Sequence, residues 1–331
     1  MPAPARVLVL TLLTALLGSG LAQARDPFAH TYSIVARDPE TGQMGVAVQS
    51  HWFQVGSVVA WAEAGVGAVA TQSFVKVDYG PKGLRLLSTG IDPQEALSAL
   101  LATDPQREVR QVAMVDAQGR VAAWTGGKCI QPAGHQMGDG YSVQANLMDK
   151  ATVWPAMAKA FEAAQGDLAS RMLAALEAAQ AEGGDIRGQQ AAALIVVRAE
   201  STGNYWEDRL VDLRVDDHPE PVKELRRLLR LHRAYESMNA GDEAVALGHI
   251  DEAVKLYTAA SELAPDIAEL PFWQAVTLFL AGRDEEALPI FKDVFAREER
   301  WWRLVPRLPA SDLLPDDPER LQKILDLGPK E

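Results

Sequence analysis

The feature that most constrains the fold of this chain is a set of short segments that are apolar at nearly every position instead of at alternate ones. Residues 58–62 read VVAWA and residues 193–197 read ALIVV. Segments of this length and composition are typical of strands, and a strand without a polar face needs apolar cover on both sides. We therefore expect sheets that lie between a second sheet and a layer of helices.

Strand-like and helix-like segments alternate between residues 31 and 217. Residues 31–37 and 44–50 flank the turn cluster DPETGQ, which predicts a β-hairpin. Counting outward from a pair between Arg37 and Met44 places Thr31 opposite Ser50. Asp92 followed by Pro93 predicts the start of a helix. Further strands are predicted at residues 57–62, 66–72, 110–115, 121–125, 141–147, 191–198 and 209–215, and helices at residues 79–89, 93–103, 151–164 and 167–182.

Beyond Pro219 the pattern is entirely helical and contains an internal repeat. Five positions recur at a spacing of 34 residues: Gly248, Asp251, Glu252, Ala253 and Tyr257 return as Gly282, Glu285, Glu286, Ala287 and Phe291. This period, with glycine, alanine and an aromatic residue in phase, is typical of tetratricopeptide repeats, and a generic helical bundle is the alternative. Repeats of this kind bind peptides or partner proteins, which makes residues 236–300 a candidate partner-binding segment. Flanking helices are expected at residues 222–235 and 301–325.

The charge balance argues against a nucleic-acid partner. The 331 residues include 45 acidic and 32 basic side chains, a formal net charge of −13, whereas binding to phosphates needs clustered lysine and arginine. The single cysteine, Cys129, has no partner for an intramolecular disulfide. We expect it to be a small buried hydrophobe, with a thiol nucleophile as the alternative.

No cofactor and no metal ion is expected. The chain lacks a glycine-rich phosphate loop, a G-x-S-x-G elbow, an H-E-x-x-H motif and paired cysteines. Asp216, Asp217 and His218 form the one cluster that suggests a metal. Asp217 with Glu220 is better explained as a capping box on the helix that follows.

Residues 1–24 have the pattern of a secretory signal peptide. Arg6 precedes an apolar run at residues 7–17, and Ala22 and Ala24 stand at the −3 and −1 positions of a cleavage site. The run is too short to span a bilayer, so cleavage is favoured over retention as an anchor. Export to the periplasm or beyond is expected, with no transmembrane segment after the signal is removed. Residues 25–30 would then form a short pro-segment or linker.

Thr31 is the candidate nucleophile because it stands at the start of the first strand, close behind the signal peptide. If the chain is cut between His30 and Thr31, the freed α-amine, with an ordinary pKa of about 7.7–8, becomes a general base for the hydroxyl of its own residue. The alternative is that Thr31 is a β-branched residue that opens a strand.

Seven runs, in order along residues 31–232, make the chain resemble the domain-of-unknown-function 1028 family. The resemblance implies an N-terminal-nucleophile hydrolase fold, a four-layer αββα sandwich, over residues 31–219. The 34-residue repeat predicts that an all-α tetratricopeptide-like domain follows at residues 220–331. Many relatives begin Met-Thr-Tyr/Phe-Ser, so that removing Met exposes the equivalent of Thr31; here a second cut is needed. The runs are TYSIVARDPETG, MGVAVQS, AGVGAVATQS, YGPKG, WTGGKC, GDIRGQQ and VDDHP.

Six further residues are expected to surround Thr31. Ser33 and Ser50 follow from the hairpin register, and His51 is placed to tune the amine or move a proton, with an exposed surface histidine as the alternative. Side-chain groups at two strand ends are candidate donors to a developing oxyanion, with a purely structural role as the alternative. The six residues are Ser33, Ser50, His51, Thr71, Gln72 and Asn146.

The hypothesis that follows is an exported hydrolase of an amide bond. Thr31 Oγ attacks the carbonyl of a small-molecule or peptide substrate, the α-amine takes the proton, and water releases the acyl-enzyme. The alternative belongs to another class: a non-catalytic envelope scaffold that uses its repeats to bind a partner.

Overall fold

The computed structural model describes residues 28–329 and combines antiparallel sheets with helices. The predicted signal peptide of residues 1–24 and the first residues of the pro-segment lie outside the described residues. The strands are β1 (Phe28–Ala29), β2 (Thr31–Arg37), β3 (Met44–Ser50), β4 (Ala60–Glu63), β5 (Gly67–Phe74), β6 (Arg110–Asp116), β7 (Val121–Thr125), β8 (Gly134–Gly138), β9 (Tyr141–Ala145), β10 (Ala191–Val197) and β11 (Arg209–Val215). The helices are α1 (Tyr79–Leu87), α2 (Pro93–Ala102), α3 (Val153–Ala163), α4 (Leu168–Ala181), α5 (Tyr205–Asp208), α6 (Pro221–Ala246), α7 (Ile250–Leu263), α8 (Glu269–Leu280), α9 (Asp284–Arg297), α10 (Glu299–Leu304) and α11 (Pro318–Leu325).

The strands form two antiparallel sheets. The six-stranded sheet has the order β11-β10-β3-β2-β9-β8, and the five-stranded sheet has the order β1-β5-β6-β7 with β4 also paired to β5. The predicted hairpin register is confirmed, since Thr31 pairs with Ser50 and Arg37 with Met44. This register decides which face of β2 each side chain occupies.

Apolar side chains fill both faces of the central strands, as the unbroken apolar segments predict. Along β2, Ile34 packs with α3 and α4 in one core, whereas Val35 packs in a second core between the two sheets. The outer face of the five-stranded sheet packs against α1 and α2 through residues such as Val69 and Leu97. The packing order is therefore helices, sheet, sheet, helices.

Helix starts follow the capping signals of the sequence. Asp92 accepts a hydrogen bond from the backbone of Gln94 at 2.8 Å, and Asp167 accepts one from the backbone of Ser170 at 2.9 Å. Each carboxylate thereby satisfies a backbone N–H that the first turn leaves unpaired.

Three strand details differ from the sequence-based expectation. β1 and β8 were not predicted, because one has two residues and the other, GHQMG, has no apolar alternation. The strand expected at residues 57–62 begins only at Ala60, since Val55–Ser57 form a 3-10 turn.

The C-terminal region is helical and its helices repeat in phase. α7 and α9 begin 34 residues apart, and each follows a glycine with positive φ, Gly248 and Gly282. Tyr257 and Phe291 occupy equivalent buried positions in the two helices. A Cβ on Gly241 of α6 would lie 2.9 Å from the Tyr257 ring, so this close helix contact requires glycine.

Two flanking helices differ from their expected bounds. The helix predicted at residues 222–235 continues to Ala246, and its first turns pack through Val222 and Leu229 into the core beside α4. The helix predicted at residues 301–325 is wrong, because prolines interrupt it between α10 and α11. Among the described helices, none is both long and apolar enough to cross a membrane.

Candidate active site

The layer between the sheets changes from apolar to polar at the end where β2 begins. Side chains at alternate positions face this layer: Val35 and Ala113 lie in its apolar part, whereas Ser33, Gln111 and Gln144 lie in its polar part. All three polar residues are fully buried. Because a buried polar group without a partner is costly, such a cluster persists only when its members bond one another.

Gln111 of β6 is the centre of this polar layer. Its Oε1 accepts hydrogen bonds from Gln72 Nε2 at 2.7 Å and from Asn146 Nδ2 at 2.9 Å. Its Nε2 donates to Thr125 Oγ1 and to the backbone oxygen of Ala145, both at 2.9 Å. One side chain therefore joins both sheets at this end of the molecule.

Ser33 belongs to the same network. Its Oγ donates to Gln72 Oε1 at 2.6 Å and accepts from Gln144 Nε2 at 2.6 Å. Gln72 also donates to the backbone oxygen of Thr31 at 3.3 Å, which Asn146 holds through its own backbone N–H at 3.0 Å. The network thus fixes the first residue of β2.

Thr31 is fully buried at the edge of this network. Its Oγ1 donates to the backbone oxygen of Ala29 at 2.6 Å. In the described chain its nitrogen is part of the peptide bond with His30, so it carries no basic amine. The hydroxyl and the carbonyl carbon of His30 are separated only by the Cβ, Cα and nitrogen atoms of Thr31.

The backbone oxygen of His30 accepts two side-chain hydrogen bonds. Ser50 Oγ donates to it at 2.5 Å and Arg187 Nη2 donates to it at 2.8 Å. Two donors on one carbonyl oxygen, one of them a guanidinium, form the arrangement that stabilises negative charge on that oxygen. The carbonyl next to the candidate nucleophile is therefore the polarised one.

Asp185 holds Arg187 in this position. The carboxylate accepts from Arg187 Nε at 3.0 Å and from Nη2 at 2.7 Å, and it also accepts from the backbone of His51 at 3.2 Å. The Asp185 side chain is fully buried, and a two-point pair of this kind fixes the plane of the guanidinium. Arg187 therefore reaches the site as an oriented donor.

The three described residues before Thr31, residues 28–30, pack against the rest of the protein. β1 pairs with the end of β5, with Phe28 opposite Phe74 and Ala29 opposite Ser73. The buried His30 ring is bonded through Nδ1 to Asn146 Oδ1 at 2.8 Å and meets the Phe74 ring edge-on at 5.6 Å. Burial lowers the pKa of His30, so its imidazole is neutral near neutral pH.

The structure brings together five of the seven residues predicted from the sequence and places two differently. Thr71 Oγ1 donates to the backbone oxygen of Lys76 at 3.2 Å, facing away from Thr31. The His51 side chain is exposed, with Nδ1 3.4 Å from the Gln189 oxygen, and contributes only its backbone to the Asp185 pair. The five that converge are Thr31, Ser33, Ser50, Gln72 and Asn146.

Four residues of the site were not predicted: Gln111, Gln144, Asp185 and Arg187. A signal exists for Gln111, since the other residues at alternate positions on its face of β6, Ala113 and Val115, are apolar. Arg187 lies 157 residues from its partner His30, and no local pattern indicates that pairing.

Cys129 is buried, and burial raises the pKa of its thiol, which agrees with the expected structural role.

The predicted capping box is wrong. Asp217 accepts a hydrogen bond from Gln190 Nε2, and it is His218 Nδ1 that accepts from the backbone of Glu220 at 3.0 Å. Within residues 28–329, no group of three histidine, cysteine or acidic side chains is arranged to hold a metal ion.

Comparison with known proteins identifies a family and a group of solved structures that resemble this chain. A model described as "Family of unknown function (DUF1028)" matches residues 31–225, so that the match begins at Thr31 and ends within α6. The chain is similar to protein SPO2555 from Silicibacter pomeroyi, a protein of known crystal structure that is assigned to the DUF1028 family model. The identity is 31% and the TM-score 0.55, over 61% of this chain and 88% of the other. No curated protein matches the chain.

Proposed function

The chain belongs to the DUF1028 family of unknown function, and from the geometry of its site we propose that it is an exported amide hydrolase whose nucleophile is Thr31. The observation that carries this proposal is the His30 carbonyl, held by Ser50 and by Arg187 directly beside the threonine hydroxyl. A structural strand opener needs no such pair of donors on the preceding carbonyl.

The fold assignment that accompanies this proposal is an N-terminal-nucleophile sandwich over residues 31–219 and a tetratricopeptide-like domain over residues 220–331. The helices–sheet–sheet–helices packing supports the first part, and the helix pairs in phase at 34 residues support the second. Residues 1–24 are the proposed signal peptide, and residues 25–30 are the proposed pro-segment.

The first step is the release of Thr31 from the pro-segment. Thr31 Oγ bonds to the carbonyl carbon of His30, the C–N bond breaks, and the hydroxyl proton ends on the freed nitrogen. The product is an ester between His30 and the threonine side chain. Water then hydrolyses the ester, which leaves His30 as a carboxylate and restores the hydroxyl. Ser50 and Arg187 stabilise the oxyanion that forms on the His30 oxygen.

The second step uses the amine that the first one releases. The α-amine of Thr31, with an ordinary pKa of about 7.7–8, takes the hydroxyl proton as Oγ attacks the substrate carbonyl. The proton passes to the leaving amine when the C–N bond breaks, and water releases the acyl group by the reverse transfers. The polar layer around Gln111 holds Thr31 in position throughout.

Substitutions at Thr31 test the proposal. We expect the Thr31→Ala chain to keep residues 25–30 and to hydrolyse no amide, while Thr31→Ser cleaves itself and keeps measurable activity. The matched control is Thr125→Ala, which changes a threonine of the polar layer that does not touch the His30 carbonyl. Self-cleavage of Thr31→Ala at the same bond would contradict the assignment of the nucleophile.

Residues 236–300 carry the proposed partner-binding role. The in-phase helix pairs α6–α7 and α8–α9 support it, because stacked helix pairs present an extended concave surface. Crosslinking in whole cells with the full chain, followed by the same experiment on a chain that lacks residues 236–331, tests it. We expect crosslinked partners to disappear with the deletion.

A further inference from the structure

Phe28 and Ala29, near the end of the proposed pro-segment, occupy a strand-binding edge. On the side of β5 away from β6, β4 pairs with Gly67 to Ala70 and β1 pairs with Ser73 and Phe74. Among the described strands, β1 is the one that covers this end of that edge. When residues 28–30 leave, this end of β5 loses the strand that pairs with it, while the Phe74 backbone oxygen keeps the hydrogen bond from Arg110 Nη1 at 2.6 Å. An open edge of this kind binds an extended peptide as an added strand.

The side chain before the cleaved bond lies in a defined pocket. The His30 ring contacts Phe74 edge-on and is bonded to Asn146 through Nδ1. The ring is buried, and this burial is the largest cause that lowers the pKa of His30, while the nearby charges of Arg187 and Asp185 act in opposite directions. The pocket therefore suits a neutral planar ring with one hydrogen-bonding atom, and it disfavours an acidic or a lysine side chain.

Arg187 and Ser50 are also placed to bind the carboxylate that cleavage leaves on His30. Arg187 Nη2 and Ser50 Oγ both donate to the oxygen of His30 while it is an amide carbonyl. Cleavage converts that group to a carboxylate, and a charge-assisted pair with Arg187 is stronger than the bond to a neutral oxygen. A peptide that ends in histidine with a free carboxylate can therefore keep the contacts that His30 makes with Arg187, Ser50 and Asn146.

We infer that the chain's own Phe28-Ala29-His30 segment is a template of its substrate. The substrate is an extended peptide that adds to β5 as a strand and carries histidine, or a similar neutral ring, on the acyl side of the cleaved amide. This inference rests on the proposed function, since it concerns the amide that the freed Thr31 attacks.

The test uses the full chain from Thr31 onward, prepared so that Thr31 is the first residue. The probes are Phe-Ala-His coupled to aminomethylcoumarin and the same compound with Asp in place of His. We expect at least a tenfold higher kcat/KM for the histidine compound. N-methylation of its alanine nitrogen, which removes a backbone donor, should lower kcat/KM by a further factor of about 10.

Binding is measured separately with the product peptide Phe-Ala-His. By calorimetry we expect the free acid to bind more tightly than its C-terminal amide, and Arg187→Met to abolish that difference. Equal rates for the histidine and aspartate compounds, or equal binding of acid and amide, would overturn the template inference and leave the hydrolase proposal standing. Failure of the mature chain to hydrolyse any amide in a broad panel overturns the hydrolase proposal, and tight binding of the acid would still support the peptide groove.

Discussion

Removing the Ser50 hydroxyl is expected to slow the cleavage before Thr31 far more than it destabilises the fold. Ser50 Oγ and Arg187 Nη2 are the two donors on the His30 oxygen, at 2.5 and 2.8 Å. Loss of one of two oxyanion donors slows such a reaction by about 10²–10³-fold, or about 3–4 kcal/mol in the barrier. We therefore expect Ser50→Ala to slow the His30–Thr31 cleavage by a factor of about 100 or more.

The expected effect of Ser50→Ala on folding is much smaller. The His30 oxygen keeps Arg187 as a partner, so the net loss is one hydrogen bond, or about 1 kcal/mol. For a domain of about 200 residues, such as residues 31–219, that lowers the melting temperature by about 2–4 °C. A folded variant with a strongly reduced cleavage rate is therefore the expected result.

The assay follows the intact mass of a precursor that begins at Arg25, at fixed temperature and over a time course. Ser57→Ala is the matched control, because that exposed hydroxyl donates only to the Gln54 backbone at 2.8 Å. We expect the control to cleave at the wild-type rate. A Ser50→Ala precursor that cleaves within threefold of wild type would refute the oxyanion role of Ser50.

Three further predictions concern stability. Gln111→Leu should lower the free energy of unfolding by about 2–4 kcal/mol in urea, because it leaves several buried partners unpaired, whereas exposed Gln118→Leu should change it by less than about 0.5. Phe291→Ala should cost about 3–5 kcal/mol, since the buried ring packs on Phe272 and Phe279, while half-exposed Phe53→Ala serves as the control. In either pair, a loss of unfolding free energy in the control as large as that in the variant would contradict the structural role assigned to the buried residue. In the uncleaved Thr31→Ala chain, the lowered pKa of His30 means that the unfolded state binds more protons, so stability is full above about pH 6.5 and declines as the pH falls below it. His30→Gln should weaken this decline when the free energy of unfolding is measured in urea at pH 7.5 and 5.0. Because burial also lowers the pKa of His135, some dependence of stability on pH should remain. An unchanged decline would contradict a buried neutral imidazole at His30.

Local signals account for the hairpin that carries Thr31, the proposed nucleophile. The turn cluster at residues 38–43 fixes the Arg37–Met44 pair, and strict alternation then places Thr31 opposite Ser50. The capping residue Asp92 likewise indicates the start of α2. These features depend on neighbours in the sequence, which is why they can be predicted from it.

The second donor of the site depends on tertiary contacts. Arg187 lies in a loop after α4, and its role follows only from the buried Asp185 that orients it and from the approach of His30. β1 is similar, because two residues become a strand only when the end of β5 is available to pair with them. No periodicity in the sequence reports such pairings.

The C-terminal region shows both cases. The 34-residue period agrees with the spacing of α7 and α9, which begin 34 residues apart, since each repeat is a local helix pair. The length of α6 was underestimated, because its first half is stabilised by packing beside α4 and its second half by packing on α7. One helix therefore serves two cores, which the repeat pattern alone does not reveal.

The first residue of the mature protein tests the central claim most directly. N-terminal sequencing and intact-mass measurement on protein collected from its native cells should read Thr-Tyr-Ser, with Thr31 first and its amine free. A population that begins only at Arg25, or elsewhere before Thr31, would leave the hydroxyl without its base and would contradict the account.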